Sequence, residues 1–477
     1  MTLVRKIAYN TAISVGGRAF GVALSLVSIG FIARYLGQEG FGSYALILAF
    51  LSIFSILADW GLYSLLTREV SRPGADEKKI ASNIFSLRIV ILLIFLALAL
   101  VIVWFFPYPL QVKIGVAIGA ASFLFLSASQ VLMGIFQKYL RIDKAILSEV
   151  VGRIIQLALI VYFIHLNLGL FSILVALVIS SASIFILNFY FARQYVHLTF
   201  TFNFPYWKKL LKTALPIAVS LVLTLIYFKV DSIFLSLSII NRSSANPIID
   251  VGIYNIAYKV LEGLIFFPAM FVGLVMPLLS KFAFSNRNQF KKIFQKTLDV
   301  LIIIIIPLVI GLLILSLPIV TLIGGKNFIA SAQPLQILAF AVGLIFFGNL
   351  FGHSIIALDK QKAGAWIYFG GMVFNIITNL IFIPKYSYLG AALTTVFTEL
   401  IVTLLMLYLV WKTISYFPSF KIIFKALFAG LVMGAFLYYF QNWNLFLLIG
   451  LGGVIYVGML YLVKGIRKEE ILMLVKR

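Results

Sequence analysis

Nine charged residues interrupt long apolar stretches of this sequence and are its main candidates for chemistry. They are Arg18, Asp59, Glu149, Arg153, Lys229, Asp231, Lys259, Glu262 and Glu399. A charge near the centre of a bilayer costs roughly 2.5–3.5 kcal/mol on the insertion scale, so each one is a functional candidate. Guanidinium and ammonium groups hold phosphate oxygens. The cations therefore indicate an anionic, phosphate-bearing ligand.

Spacing along a helix predicts that some of these charges neutralise one another. Glu149 and Arg153 are four residues apart, and Lys259 and Glu262 are three apart. Side chains at these spacings share one face of a helix and can form ion pairs. Each pair therefore has a purely structural interpretation beside a functional one.

Other charges have no such neighbour. Lys229 and Asp231 are two residues apart and point to different faces of their helix, so one of them needs a partner on another element. Lys259 or a group on the first helix is the expected partner of Asp231. Arg18 has no residue of opposite charge within a helical turn, which makes it the cation best suited to a ligand.

The elements that position these charges belong to a membrane protein. Of the 477 residues, 63% are apolar and 11% are charged, whereas a soluble domain has roughly 45–50% and 25%. Cysteine is absent and the three histidines, His165, His197 and His353, are scattered, so disulfides, haem and zinc or other metal sites are not expected. We expect no cofactor.

Apolar runs of about 20 residues predict fourteen transmembrane helices. The predicted ranges are 9–33, 41–65, 88–106, 114–137, 145–165, 168–192, 213–238, 252–278, 297–316, 333–357, 363–383, 388–411, 421–439 and 444–463. The fold class is therefore all-α, and the predicted outer connections are short.

The distribution of Lys and Arg fixes the expected orientation. Of the 38 basic residues, 29 fall in the loops on one side, five on the other and four within helices. Basic loops face the cytoplasm, so both termini are predicted to be cytoplasmic. The net charge of +23 is then a topology signal and an attraction to anionic lipid, and no nucleic acid is needed to explain it.

Two short motifs suggest an internal repeat. GFGSY at 40–44 is matched by DVGIY at 250–254, and each precedes a helix and a basic loop. We interpret 1–192 as a lobe of helices 1–6, 193–212 as a cytoplasmic linker, 213–411 as a lobe of helices 7–12, and 412–477 as helices 13–14 with a basic tail. Two such lobes enclose a cavity at the midplane, the layout of a transporter.

Several stretches, taken together, resemble polysaccharide or O-antigen (Wzx-type) flippases of the multidrug/oligosaccharidyl-lipid/polysaccharide (MOP) exporter superfamily. They are ARYLGQEGFGSYAL at 33–46, DWGL at 59–62, VGIYNIAYKV at 251–260, LIGGKNFIASAQPLQILAF at 322–340 and NIITNLIFIPKYSYLGAALTTVFTE at 375–399. The similarity runs from about residue 5 to 415.

The resemblance implies movement of an undecaprenyl-pyrophosphate-linked oligosaccharide from the cytoplasmic to the outer leaflet of the plasma membrane by alternating access. Glycosyltransferases and a polysaccharide polymerase are its implied partners. Cavity cations hold the pyrophosphate in such proteins, and the positions that could do so here are Arg18, Lys229, Lys259 and Arg153. The carboxylates are candidates for proton or sodium coupling, or for charge pairing, and comprise Asp231, Glu262, Asp59, Glu149 and Glu399.

Three alternatives remain. A lipid II flippase shares fourteen helices and a cationic cavity. An ion-coupled drug exporter of the MATE type is expected to have twelve helices and an acidic cavity. A membrane glycosyltransferase or polymerase needs catalytic groups on large outer loops. Because the outer loops here are short and carry no paired carboxylates, we do not expect an enzyme.

Overall fold

The computed structural model describes residues 3–72 and 74–465, with the side chains of 3–12, 14, 64 and 216–227 excepted. Thirteen α-helices and two short 3-10 helices, Val103–Phe105 and Lys326–Ser331, make up the regular structure of this part. The α-helices are α1 Leu3–Leu57, α2 Leu62–Val70, α3 Glu77–Ile102, α4 Leu110–Lys138, α5 Ile142–His165, α6 Gly169–Ala192, α7 Phe204–Ser236, α8 Pro247–Ser285, α9 Arg287–Gly324, α10 Ala332–Ala357, α11 Gln361–Ile414, α12 Lys421–Tyr439 and α13 Leu445–Leu462.

The predicted count of fourteen crossings is confirmed. Eleven of the described helical segments are long and apolar enough to cross a membrane. The two longest, α1 and α11, contain 55 and 54 residues, more than twice the length of one crossing. Each bends at one residue of positive φ, Gly37 (φ 67°) and Ser387 (φ 47°), and so supplies two crossings. The two bent helices add two crossings to the eleven segments, and α7, which is not one of the eleven, brings the number to fourteen.

The sequence misses one feature of the predicted second helix, 41–65. This helix is interrupted at residues 58–61, between α1 and α2. Trp60 and Gly61 both have positive φ there, 47° and 63°. A left-handed conformation at consecutive residues ends a helix, and for tryptophan it carries a steric cost that its surroundings must offset.

The chain divides into two compact units, Met1–Asn255 and Ile256–Arg477. The first unit thus includes α7 and the start of α8, which the repeat assigns to the second lobe. The division into lobes 1–192 and 213–411 is a statement about repeat symmetry and stays a prediction. The basic tail beyond residue 465 lies outside the described residues.

In the first unit, α2, α3, α4 and the start of α7 share an apolar core. Its buried side chains include Leu65, Leu66, Ile84, Leu87, Val131, Ile135, Trp207 and Leu210. Gly134 on α4 allows α2 to come close, since a Cβ at that position would lie 3.0 Å from the Leu66 Cδ2 atom. Small residues at such contacts favour van der Waals packing, the main force that joins helices in lipid.

Candidate functional site

The helix break at 58–61 leaves the Ala58 carbonyl for a side-chain donor, and Arg88 on α3 binds it. Arg88 lies eleven residues into α3, about 16 Å along the helix. One of its terminal nitrogens donates to the Ala58 carbonyl at 3.1 Å. The end of α1 therefore has a cation at its negative dipole end, and a carbonyl that lipid could not satisfy is hydrogen-bonded.

The same guanidinium joins three further groups. It donates to the Asp59 carboxylate at 2.8 Å, to the Ser127 hydroxyl at 2.7 Å and to the Gln130 side-chain oxygen at 3.1 Å. The Arg88 side chain is 2% exposed and that of Asp59 is 29% exposed. Asp59, a candidate for ion coupling or charge pairing, is therefore the counter-ion of a buried arginine.

Sequence reasoning missed Arg88. Hydropathy places the start of its helix at residue 88 and so predicts a cytoplasmic end position for Arg88, whereas α3 begins eleven residues earlier, at Glu77. The signal that could reveal it is Asp59, because the predicted helix 41–65 contains no basic residue to pair with this carboxylate.

Two glycines bring α1 against α5 beside another pair of charges. A Cβ on Gly17 would lie 2.2 Å from Ile146 Cγ2, and one on Gly21 would lie 3.2 Å from the Arg153 Nε atom. Arg153 forms the ion pair expected from its spacing, with its NH2 nitrogen 2.7 Å from Glu149 Oε1. Both side chains are partly exposed, so the pair remains accessible to a ligand.

Arg18 lies in the turn between these two glycines. Its side chain is exposed, and no hydrogen bond or ion pair joins it to another side chain in the part of the chain that is described. It is near enough to Tyr63 on α2 to interact with it electrostatically, and the Tyr63 hydroxyl in turn donates to Gln137 on α4. Arg18 and the Glu149–Arg153 pair therefore lie on adjacent helices of the first unit.

The candidates on α7 sit in a separate polar cluster. Asp231 is 1% exposed and accepts a hydrogen bond of 2.9 Å from the Tyr254 hydroxyl on α8. One residue along each helix, Asn255 donates to the Ser232 hydroxyl at 3.1 Å. Lys229 is partly buried and is also engaged by neighbouring groups. Asp231 thus accepts a hydrogen bond from a tyrosine, and its pairing with Lys259 or with a group on the first helix stays a prediction.

The second unit holds the two remaining sets of charges. Lys259 Nζ lies 2.6 Å from Glu262 Oε2, the pairing expected from the spacing, and both side chains are partly exposed. Glu399 is buried on the second half of α11 and acts electrostatically on Tyr368 of the first half. The Asn375 amide there donates to Thr398 at 3.3 Å. Among the described residues, no three His, Asp or Glu side chains converge as metal ligands would.

The connection between α4 and α5 is fixed by a further ion pair. Lys138 Nζ lies 2.5 Å from Glu77 Oε1, and the Tyr139 hydroxyl donates to Glu77 Oε2 at 2.6 Å. The hydrogen bond to this carboxylate, together with burial and the negative charge, raises the pKa of Tyr139 to about 12. Tyr139 therefore stays neutral and keeps its hydrogen bond at physiological pH.

Comparison with known proteins decides the family. The profile described as polysaccharide biosynthesis protein matches residues 7–283, more than half of the chain. The chain belongs to the polysaccharide biosynthesis protein family. A second profile, lipid II flippase MurJ, matches residues 255–452.

Relatives and solved structures agree with this family. The chain is 22% identical to the probable low-salt glycan biosynthesis flippase Agl15 of Haloferax volcanii, over 81% of this chain and 79% of that protein. Its fold is similar to that of a lipid II flippase MurJ in an inward closed conformation, with a TM-score of 0.77, 19% identity, and coverage of 94% of this chain and 97% of the other.

A multidrug resistance MATE transporter of the MOP superfamily is also similar, with a TM-score of 0.66, 15% identity and coverage of 83% of this chain and 94% of the other. The chain is therefore a multi-pass membrane protein with the MOP fold, as the sequence predicts. The MurJ profile, the Haloferax volcanii relative and these two solved structures are flippases and transporters rather than enzymes.

Proposed function

We propose that this member of the family is a flippase that moves an undecaprenyl-pyrophosphate-linked oligosaccharide from the cytoplasmic to the outer leaflet of the plasma membrane. The observation that carries the proposal is Arg18, an exposed cation inside a membrane helix that packs, at Gly21, against the partly exposed Glu149–Arg153 pair of α5. The family match, and the similarity to a glycan biosynthesis flippase, supply the substrate class.

The chemistry of these groups suits a diphosphate. Arg153 uses its Nε and NH2 nitrogens for Glu149, which leaves NH1 for another acceptor. Arg18 brings a complete guanidinium with five donors. Charge-assisted hydrogen bonds from two arginines offset the cost of taking a diphosphate out of water. The oligosaccharide then crosses with the bound diphosphate to the outer side by alternating access, while the lipid tail stays in the bilayer.

The other predicted cations have narrower roles. Lys259 is neutralised by Glu262, and Lys229 is engaged by neighbouring groups. In our proposal each must exchange its protein partner for the diphosphate, so their contribution to affinity is smaller than that of Arg18. Both termini are cytoplasmic in this scheme, and glycosyltransferases and a polymerase act before and after the flippase.

A lipid II flippase is the second candidate function. The MurJ profile matches 198 residues of the C-terminal half, 255–452, and the fold similarity to MurJ extends over 94% of the chain. The two candidates share the diphosphate and differ in the glycan. Rescue of a strain lacking its polysaccharide flippase supports the first, and rescue of a strain depleted of its lipid II flippase supports the second.

The decisive experiment is restoration of surface polysaccharide in a flippase-null strain. The Arg18→Ala/Lys229→Ala variant should insert normally and fail to restore the glycan. Lys113→Ala is the control, because Lys113 is a cation at the start of α4 that lies 5.2 Å from the ring of Trp104, away from the proposed site. Normal surface glycan in the double variant would remove Arg18 and Lys229 from the mechanism.

Ion coupling is a separate part of the proposal. Asp231 and Glu262 are the carboxylates we assign to a proton or sodium ion, since both lie within helices at membrane depth. Transport in vesicles should then stop when the proton and sodium gradients are both collapsed. Transport that continues under those conditions would show that neither carboxylate couples it to an ion.

A further inference from the structure

The segment between α6 and α7 has an unusual alternation of residues. Residues 199–204 read Thr-Phe-Thr-Phe-Asn-Phe, and the three phenylalanines, Phe200, Phe202 and Phe204, are 66%, 63% and 69% exposed. This part of the chain is not helical before residue 204. Alternation of this kind places the aromatic rings on one side of an extended strand and the polar residues on the other.

The polar side of this segment is attached to α3. The Thr199 amide donates to the Ser82 hydroxyl at 3.0 Å, and the Thr201 amide donates to the Ser86 hydroxyl at 2.9 Å. Both serines are buried. Ser86 lies nine residues into α3, about 13 Å along the helix, so the segment runs beside α3 rather than away from it.

Those two hydrogen bonds meet a condition for contact with lipid. Extended backbone cannot face hydrocarbon unless its amides are satisfied, and here alternate amides are satisfied by serines of a membrane helix. The Phe200 ring also lies 5.7 Å from that of Phe85 on α3. The Phe202 and Phe204 rings lie 5.8 and 5.3 Å from the ring of Trp207, and each of the three phenylalanines still exposes more than 60% of its surface.

The start of α7 continues the same surface with positive charge. Lys208, Lys209 and Lys212 are exposed, whereas Trp207 and Leu210 on the opposite face are buried in the core of the first unit. No acidic residue occurs in 193–212. The nearby Glu69 of α2 is already paired with Arg72 at 2.8 Å, so it does not neutralise the lysines.

We propose that residues 199–212 form an interfacial lipid-binding element, in which Phe200, Phe202 and Phe204 insert into the inner leaflet and Lys208, Lys209 and Lys212 bind the phosphates of anionic phospholipids. The pattern of large apolar residues next to lysines is that of segments that lie in the membrane surface. A Lys near an anionic leaflet contributes about 1 kcal/mol, which corresponds to about fivefold in affinity for each charge. This inference does not depend on the substrate of the flippase.

The absence of cysteine makes the insertion directly measurable. A spin label on Phe202→Cys in liposomes of phosphatidylcholine and phosphatidylglycerol should be accessible to oxygen and protected from a water-soluble nickel chelate. His197→Cys, at an exposed position before the aromatic segment, is the control and should show the reverse. Equal accessibility of the two labels to the nickel chelate would overturn the proposal.

The charge component is tested with purified protein and phosphatidylglycerol itself. The variant Lys208→Gln/Lys209→Gln/Lys212→Gln should bind phosphatidylglycerol at least tenfold more weakly than wild type, measured by native mass spectrometry. The matched control carries three Gln substitutions at Lys291, Lys292 and Lys296, near the start of α9, and changes the net charge equally. If both variants lose the same affinity, the effect is one of total charge and the proposed element does not bind lipid specifically.

Discussion

Arg88 and Asp59 provide the sharpest test of the energetics at the break between α1 and α2. Asp59→Ala leaves the Arg88 guanidinium, which is 2% exposed, without its counter-ion. Removal of one partner from a buried ion pair costs about 3–5 kcal/mol, because the remaining charge is uncompensated. Arg88→Met instead leaves a carboxylate that is 29% exposed and can reach solvent, together with the unsatisfied Ala58 carbonyl and Ser127 hydroxyl. We expect a smaller cost, about 1–3 kcal/mol.

The double variant gives the critical result. When Arg88→Met is combined with Asp59→Ala, no charge remains, so the stability should return to about that of Arg88→Met alone. The expected coupling energy is about 3–5 kcal/mol, the full cost of Asp59→Ala alone, since Arg88→Met suppresses that defect. The free energy of unfolding can be measured by titration with sodium dodecyl sulfate in mixed micelles.

The control for this cycle is Glu149→Ala. It removes the partner of Arg153, which is 28% exposed and can be solvated, so we expect a cost under about 1 kcal/mol. Additive effects of Arg88→Met and Asp59→Ala, or an Asp59→Ala protein as stable as the Glu149→Ala control, would refute the reasoning that burial makes this pair essential.

Two further predictions concern packing and the polar cluster of α7 and α8. Gly42→Ala should lower the melting temperature far more than Gly21→Ala. A Cβ at Gly42 would lie 1.9 Å from the Ile248 carbonyl oxygen, whereas the atom nearest to a Cβ at Gly21 belongs to a flexible arginine side chain. Equal melting temperatures of the two variants would contradict this. Tyr254→Phe should lower the free energy of unfolding by about 1.5–3 kcal/mol, since Asp231 loses a charge-assisted hydrogen bond in a buried site. Asp231→Asn should reduce the effect of Tyr254→Phe. A full additive loss of stability in the double variant would show that the Tyr254 hydroxyl acts elsewhere.

The sequence predicts what is determined locally. Apolar run length sets the fourteen crossings, and helical spacing sets the pairs Glu149–Arg153 and Lys259–Glu262. The two charges of each pair are separated by about one helical turn. Their geometry therefore follows from the helix itself and needs no knowledge of the packing between helices.

Contacts between elements could not be obtained in this way. Arg88 and Asp59 are 29 residues apart, and Tyr254 and Asp231 are 23 apart. Each pair depends on the packing of separate helices, and the first depends also on the break at Trp60 and Gly61, residues whose positive φ values no hydropathy pattern reveals. The contact of the 199–204 segment with α3 is a tertiary feature of the same kind.

The central claim of the proposed function is that Arg18 binds the diphosphate of the lipid-linked substrate. The most direct measurement is the dissociation constant of undecaprenyl diphosphate for the purified protein in nanodiscs, for wild type, Arg18→Ala and Lys113→Ala. A hydrogen-bonded charge contributes about 1.5–3 kcal/mol, so Arg18→Ala should weaken binding roughly 10- to 150-fold, with Lys113→Ala unchanged. Wild-type affinity in Arg18→Ala would contradict the claim.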